Sequence, residues 1–131
     1  VSQFDTYLGV RHGPLVYVDD HCLVFAGLSS DTTVRRYELD LLRELRGKAA
    51  GCKILAIDTA PDSDLDGLAD QRIVLSTPNG DLSDDERLFT DLVVYQLVGY
   101  FACRGLDLSP DNPRSDGMIT RVVQGVRIYE D

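Results

Sequence analysis

The sequence predicts an α/β fold in which a parallel sheet carries helices on its flanks, and three observations predict it. Cys22-Leu23-Val24-Phe25-Ala26-Gly27-Leu28 and Cys52-Lys53-Ile54-Leu55-Ala56-Ile57 are short, nearly continuous apolar runs, the pattern of strands covered on both faces of a parallel sheet. Between them Val34, Tyr37, Leu41 and Leu45 recur at helical spacing. A strand, a helix and a second strand in that order make a right-handed crossover unit, so the two strands run parallel.

Taken in order, the first strand follows the turn Asp19-Asp20-His21 and is expected to be central in the sheet. Ser29 and Ser30 can cap the helix that follows, and Gly47 sits where a left-handed C-terminal cap is wanted. After the second strand comes an acidic loop, Asp58 to Asp70, and then Arg72-Ile73-Val74-Leu75, a third strand whose brevity suggests an edge. Thr77-Pro78-Asn79-Gly80 turns the chain. Ser83 and Glu86 have the spacing of a capping box, and Leu88, Leu92, Tyr95, Val98 and Phe101, with Phe89 and Val93, predict a long helix ending near Gly105. So wide an apolar face is expected to be buried. Ser109-Pro110-Asp111-Asn112-Pro113 blocks further helix, and Val122, Val123, Val126 and Ile128 beyond it are expected to run along a neighbour. There is no internal repeat. Three strands and two long helices are too few to close a doubly wound sheet, so the sheet is expected to be incomplete on its N-terminal side.

Composition narrows the function. The 131 residues suit one domain with a real core, 44% of positions being apolar. A net charge of -9, from 22 acidic and 13 basic residues, repels a phosphate backbone and argues against nucleic acid as a partner. The longest apolar run, around Leu92 to Ala102, is broken by Gln96 and Gly99 and falls short of the ~20 residues that span a bilayer. The chain opens at Val1 without a basic or apolar leader pattern, read here as a processing boundary. Cys22, Cys52 and Cys103 form an odd set in apolar segments with neither zinc-ligand nor disulfide spacing, as expected of reduced thiols in a cytoplasmic protein.

Chemistry concentrates in Tyr7-Leu8-Gly9-Val10-Arg11-His12-Gly13-Pro14. Pro14 suits the first turn of a short helix through Val18, which would set His12 at a helix N-terminus. The positive end of a helix disfavours imidazolium and leaves a neutral ring able to exchange protons with a sugar oxygen. Capping or a backbone bond is the commoner role for a single histidine, and spacing alone leaves both open. The loop Ser29-Ser30-Asp31-Thr32-Thr33 offers hydroxyls and amides to an anion. Asp31 places a carboxylate there instead, and no glycine permits close approach, so helix capping is the better reading. Asp62-x-Asp64-x-Asp66-Gly67 copies half of a calcium loop, but its twelfth position is Ile73 rather than Glu. Tyr37, Tyr95 and Tyr100 read as packing residues, and Arg114, Arg121 and Arg127 as scattered surface charges.

Two stretches add a resemblance: Phe4 through Pro14, reading FDTYLGVRHGP, and Leu108-Ser109-Pro110-Asp111-Asn112-Pro113 followed by Arg121-Val122-Val123-Gln124-Gly125-Val126. Together they resemble the tagatose-6-phosphate ketose/aldose isomerase-like proteins of the sugar isomerase (SIS) family. The resemblance implies a flavodoxin-like parallel sheet with flanking helices, residues 1–131 being the C-terminal portion of the second SIS domain with a tail from about 106. It implies that His12 is catalytic, serving sugar ring opening, and that Arg11, Thr120 and Arg121 bind substrate. Synthase-type members place a Lys on the sugar near the C-terminus. Arg121 is the nearest match, and Thr120-Arg121 stands where the tagatose-type motif reads Asn-Arg. The family's phosphate loop and catalytic Glu belong to regions upstream of this chain. The implied chemistry is aldose-ketose isomerisation of a phosphorylated sugar through an enediol-like species, with or without loss of ammonia from a 2-amino sugar. It needs no metal or organic cofactor, and a homodimer or higher homo-oligomer is expected. The competing readings are a non-catalytic phosphosugar-binding module of a regulator and a purely structural half whose long helix serves dimer formation.

Overall fold

The computed structural model describes residues 5–78 and 80–111, together with Arg114, Asp116, Met118, Gly125 and residues 127–129. Two compact units make up the chain, Val1–Asp91 and Leu92–Asp131. The first holds a parallel sheet of β1 (Leu23–Gly27), β2 (Lys53–Asp58) and β3 (Gln71–Val74) in the order β1-β2-β3. Leu23 lies opposite Lys53 and Gly27 opposite Ile57, while Leu55 pairs with Gln71 and Asp58 with Val74. The strands therefore fall where the apolar runs place them, with β3 at an edge. The expectation that β1 is central fails. Among the described residues β2 is the central strand, its Ile54, Ala56 and Ile57 fully buried, and Leu23 of β1 is 58% exposed. Among the described residues β1 has β2 as its one ladder partner.

Helix α2 (Thr32–Lys48) covers one face of the sheet through Leu39, Leu41, Leu42 and Leu45, which pack with Ala26, Ile54 and Ala56. Each such side chain, fully removed from water, contributes about 1.5–3 kcal/mol. Both expected caps move by one or two residues. Asp31, not Ser29 or Ser30, is the N-cap, its carboxylate accepting from the amides of Thr33 and Val34 at 2.8 and 2.9 Å. Gly47 lies inside the helix, which ends at the C-cap Ala49. Val34 and Tyr37, expected on the apolar stripe, are exposed. The buried face is centred on Leu42 instead, and in phase with it at 100° per residue stand Arg35, Glu38, Leu45, Arg46 and Ala49.

Beyond β3 the expected turn from Thr77 to Gly80 closes a short hairpin that periodicity cannot reveal, β4 (Ser76–Thr77) with β5 (Gly80–Asp81). Gly80 has φ +124°, a conformation suited to glycine. Helix α3 (Asp84–Gly105) begins as expected. Glu86 accepts from the amide and hydroxyl of Ser83 at 2.9 and 2.8 Å. It ends in a Schellman motif, in which the Leu108 amide reaches the Cys103 carbonyl at 2.9 Å and the Asp107 amide that of Arg104 at 3.2 Å. The expected burial of α3 is met only in part, Tyr95 and Val98 being half-buried. Leu88, Phe89, Leu92, Val93, Leu97 and Phe101 all stand exposed, because an apolar face is buried only where another apolar surface meets it. No helix among the described residues is long and apolar enough to cross a membrane. Cys52 is buried and Cys22 and Cys103 half-buried, all as free thiols. The apolar tail residues Val122, Val123 and Val126 lie outside the described residues.

Candidate functional site

The Arg11-His12 step is built by α1 (Tyr7–Arg11), a single turn capped by Thr6, whose hydroxyl accepts from the Gly9 amide at 3.0 Å. The Tyr7 hydroxyl donates to the Gly27 carbonyl at 2.9 Å, fixing α1 to the end of β1. His12 is the C-cap of α1, its amide donating to the Gly9 carbonyl at 3.0 Å. Pro14 does open a tight turn, Pro14–Tyr17, but Gly13 is the N-cap of that four-residue 3-10 helix. His12 thus closes α1 and stands one residue before the N-cap of this single 3-10 turn, so its ring lies between the carbonyl end of one short helix and the amide end of the next. The imidazole is exposed and has no hydrogen-bond partner among the described residues. Arg11 Nε donates to Glu44 of α2 at 2.9 Å in a half-exposed ion pair. Such a pair contributes at most ~1 kcal/mol, so the guanidinium can exchange Glu44 for an anionic ligand. Arg11 and His12 thus stand together at the C-terminal end of α1, while Thr120 and Arg121 lie outside the described residues.

A second constellation, absent from the sequence reading, occupies the carboxyl ends of the strands, where open α/β sheets hold ligands. Arg35 of α2 grips Asp58, the last residue of β2, through two nitrogens at 3.0 and 2.6 Å, and Asp62 at 2.9 and 2.5 Å. The bond to Asp58 holds the guanidinium well above its ordinary range, against the opposing effect of burial. Glu38, 7% exposed, accepts from the Ser29 amide at 2.7 Å. Burial pushes its carboxyl up, the Ser29 bond opposes this, and nearby Asp84 adds to it. Asp84, the first residue of α3, accepts from the Ser29 hydroxyl at 2.5 Å and the Ser30 amide at 2.7 Å. Burial works against its ionisation, but these bonds outweigh it and the carboxyl lies below its usual range. Arg87, only 3% exposed, donates to the carbonyls of Leu28 and Ile57 and to Asp91. The available signal was charge in phase with leucine, at Arg35 and Glu38 in α2.

These bonds decide the fate of the Ser29–Thr33 loop. The amides of Ser29, Ser30, Thr33 and Val34 already donate to Glu38, Asp84 and Asp31, so the chain's own carboxylates stand where a phosphate would bind. The acidic loop is likewise engaged: Asp62 holds Arg35, and Asp66 pairs with Arg72.

A parallel sheet with flanking helices is the fold shared with the sugar isomerase (SIS) proteins this chain resembles. The solved structure of a Clostridium novyi protein provisionally named tagatose-6-phosphate ketose/aldose isomerase matches this chain with a TM-score of 0.82 at 35% identity, over 98% of this chain and 33% of its own. The tagatose-6-phosphate ketose/aldose isomerase of Escherichia coli gives 0.66 at 33% identity, over 81% of this chain and 28% of its own. Among curated proteins, the D-galactosamine-6-phosphate deaminase AgaS of Escherichia coli is 37% identical over 126 residues, 96% of this chain and 32% of that protein. The AgaS of a Shewanella species is 33% identical over 129 residues, 98% of this chain and 30% of that protein. The chain thus spans about a third of the length of the curated relatives it matches. No family profile matches it.

Proposed function

We propose that this chain is the C-terminal part, within the second SIS domain, of a phosphosugar aldose-ketose isomerase of the tagatose-6-phosphate or galactosamine-6-phosphate type. With a 2-amino sugar phosphate the corresponding C1–C2 proton transfer passes through an enolamine to a C2 imine, which water hydrolyses to ketose and ammonia. The observation that carries this reading is the likeness over 96% of the chain to a D-galactosamine-6-phosphate deaminase. Supporting it, the His12 ring faces solvent instead of capping its own backbone. In this mechanism His12 opens the sugar, giving a proton to the ring oxygen as the anomeric hydroxyl loses one, and proton transfer between C1 and C2 follows. Arg11, released from Glu44, and Thr120 with Arg121 bind the substrate. The phosphate is held away from the Ser29–Thr33 loop, whose amides are taken. The protein works in the cytoplasm as a homodimer or higher homo-oligomer.

The test is incubation of the full-length parent protein with galactosamine-6-phosphate and tagatose-6-phosphate, following ketose and ammonia. Turnover by the parent and a loss of about 10²-fold or more in His12→Ala are expected, the scale of a lost general acid-base group. Equal turnover by the variant would overturn the role of His12. Tight binding of the sugar phosphates without any turnover would select the regulator-type binding module instead.

A further inference from the structure

His12 stands between two helices too short to hold themselves. A single α-helical turn and a four-residue 3-10 turn form few hydrogen bonds for the dihedrals they fix, so neither sets the direction of the ring unless other elements pin it. An acid-base group works only within about 0.5 Å and 10–20° of its productive geometry. Whatever pins the backbone around His12 therefore belongs to the site.

The chain is held on both sides of it. On the N-terminal side the Tyr7 hydroxyl donates to the carbonyl of Gly27, the last residue of β1, in a half-buried bond of 2.9 Å. On the C-terminal side the ammonium of Lys48, the last residue of α2, donates to the Leu15 carbonyl of the 3-10 turn. That carbonyl also accepts from the Val18 amide at 3.3 Å, so the same oxygen closes the turn and ties it to α2. A cation is favoured at the C-terminal end of a helix, and its hydrogen bond is charge-assisted. Tyr7, Val10 and Leu15 add apolar packing against the buried core. Glu44, one turn before Lys48, holds the side chain of Arg11 rather than its backbone, so Arg11 can leave while the backbone on either side stays fixed. All of these contacts are internal to the unit Val1–Asp91.

We propose that Tyr7 and Lys48 are positioning residues for His12, the first anchoring its segment to the sheet and the second to α2. This role rests on His12 being the acid-base group proposed above. The test is steady-state kinetics of the full-length parent protein with galactosamine-6-phosphate and tagatose-6-phosphate, with His12→Ala beside it. Tyr7→Phe and Lys48→Met should each lower kcat about tenfold with KM changed by less than about twofold, because a misdirected ring costs the transition state and not ground-state binding. Lys48→Arg, which can still donate to the Leu15 carbonyl, should recover most of the rate. Thermal melts separate lost direction from lost fold, and should Tyr7→Phe unfold, the exposed Lys48 decides alone. Wild-type kcat in the folded variants, or a rate lost equally in Lys48→Met and Lys48→Arg, would overturn the positioning role and leave that of His12 standing. An inactive parent, or full turnover in His12→Ala, would instead overturn the role of His12 and this one with it.

Discussion

A carboxyl pressed between a sheet and its covering helix makes stability depend on pH. Glu38 titrates above its ordinary 4.5 because burial disfavours its charge. Between those two values the folded chain binds a proton that the unfolded chain does not. Its contribution is therefore complete below about pH 4.5 and lost as pH rises through the raised value. Asp84 has the opposite sign: its contribution is present above its ordinary 3.8 and lost as pH falls through its lowered value. Glu38→Gln keeps an acceptor for the Ser29 amide and cannot ionise. Urea denaturation from pH 5 to 8 should show the variant gaining on the wild type as pH rises, and a constant gap between them would count against this account of Glu38.

At the scale of elements, the strands and long helices were legible because covered strands and helix faces repeat hydrophobicity at their own periods. What escaped was decided by contacts between elements. Arg35 and Glu38 interrupt the leucine phase of α2, and only their partners Asp58, Asp62 and Ser29 from distant segments explain why they are buried. The end of α3 at Gly105 was legible, but its cap was not: the left-handed residue is Asp107, at φ 55°. An aspartate there bears both the steric cost of that conformation and an unfavourable charge at a helix C-terminus. Asp107→Gly should raise stability by about 0.5–1 kcal/mol and Asp107→Val should lower it. Thermal melts of the two variants should move in opposite directions.

Across the whole molecule, an acidic chain with a net charge of -9 must offer any anionic ligand a local reason to bind. The strand ends do not supply it, their amides being saturated by Asp31, Glu38 and Asp84. Millimolar inorganic phosphate should leave the amide resonances of Ser29, Ser30, Thr33 and Val34 in place, and shifts confined to them would show that the loop opens to anions. Sequence reasoning reached this loop correctly through Asp31. It could not place His12, because a histidine before Gly-Pro is equally compatible with the start of one turn and the end of another. In the structure both hold: His12 closes α1 at φ -91°, and Gly13 opens the next turn at φ 168°.

The strands of the sheet lie in the order of the chain, β1-β2-β3. A polypeptide leaving the ribosome can therefore add each strand beside the one made just before it, with no place to be held open for a later insertion. The offsets differ, from Leu23 to Lys53 in the first pairing and from Leu55 to Gln71 in the second. Loop-closure entropy grows as 1.5RT times the logarithm of loop length, so the first pairing costs about 0.6 kcal/mol more than the second. Synthesis thus meets the harder closure first, with α2 already available to cover it, and β3 then adds to an edge that is already formed.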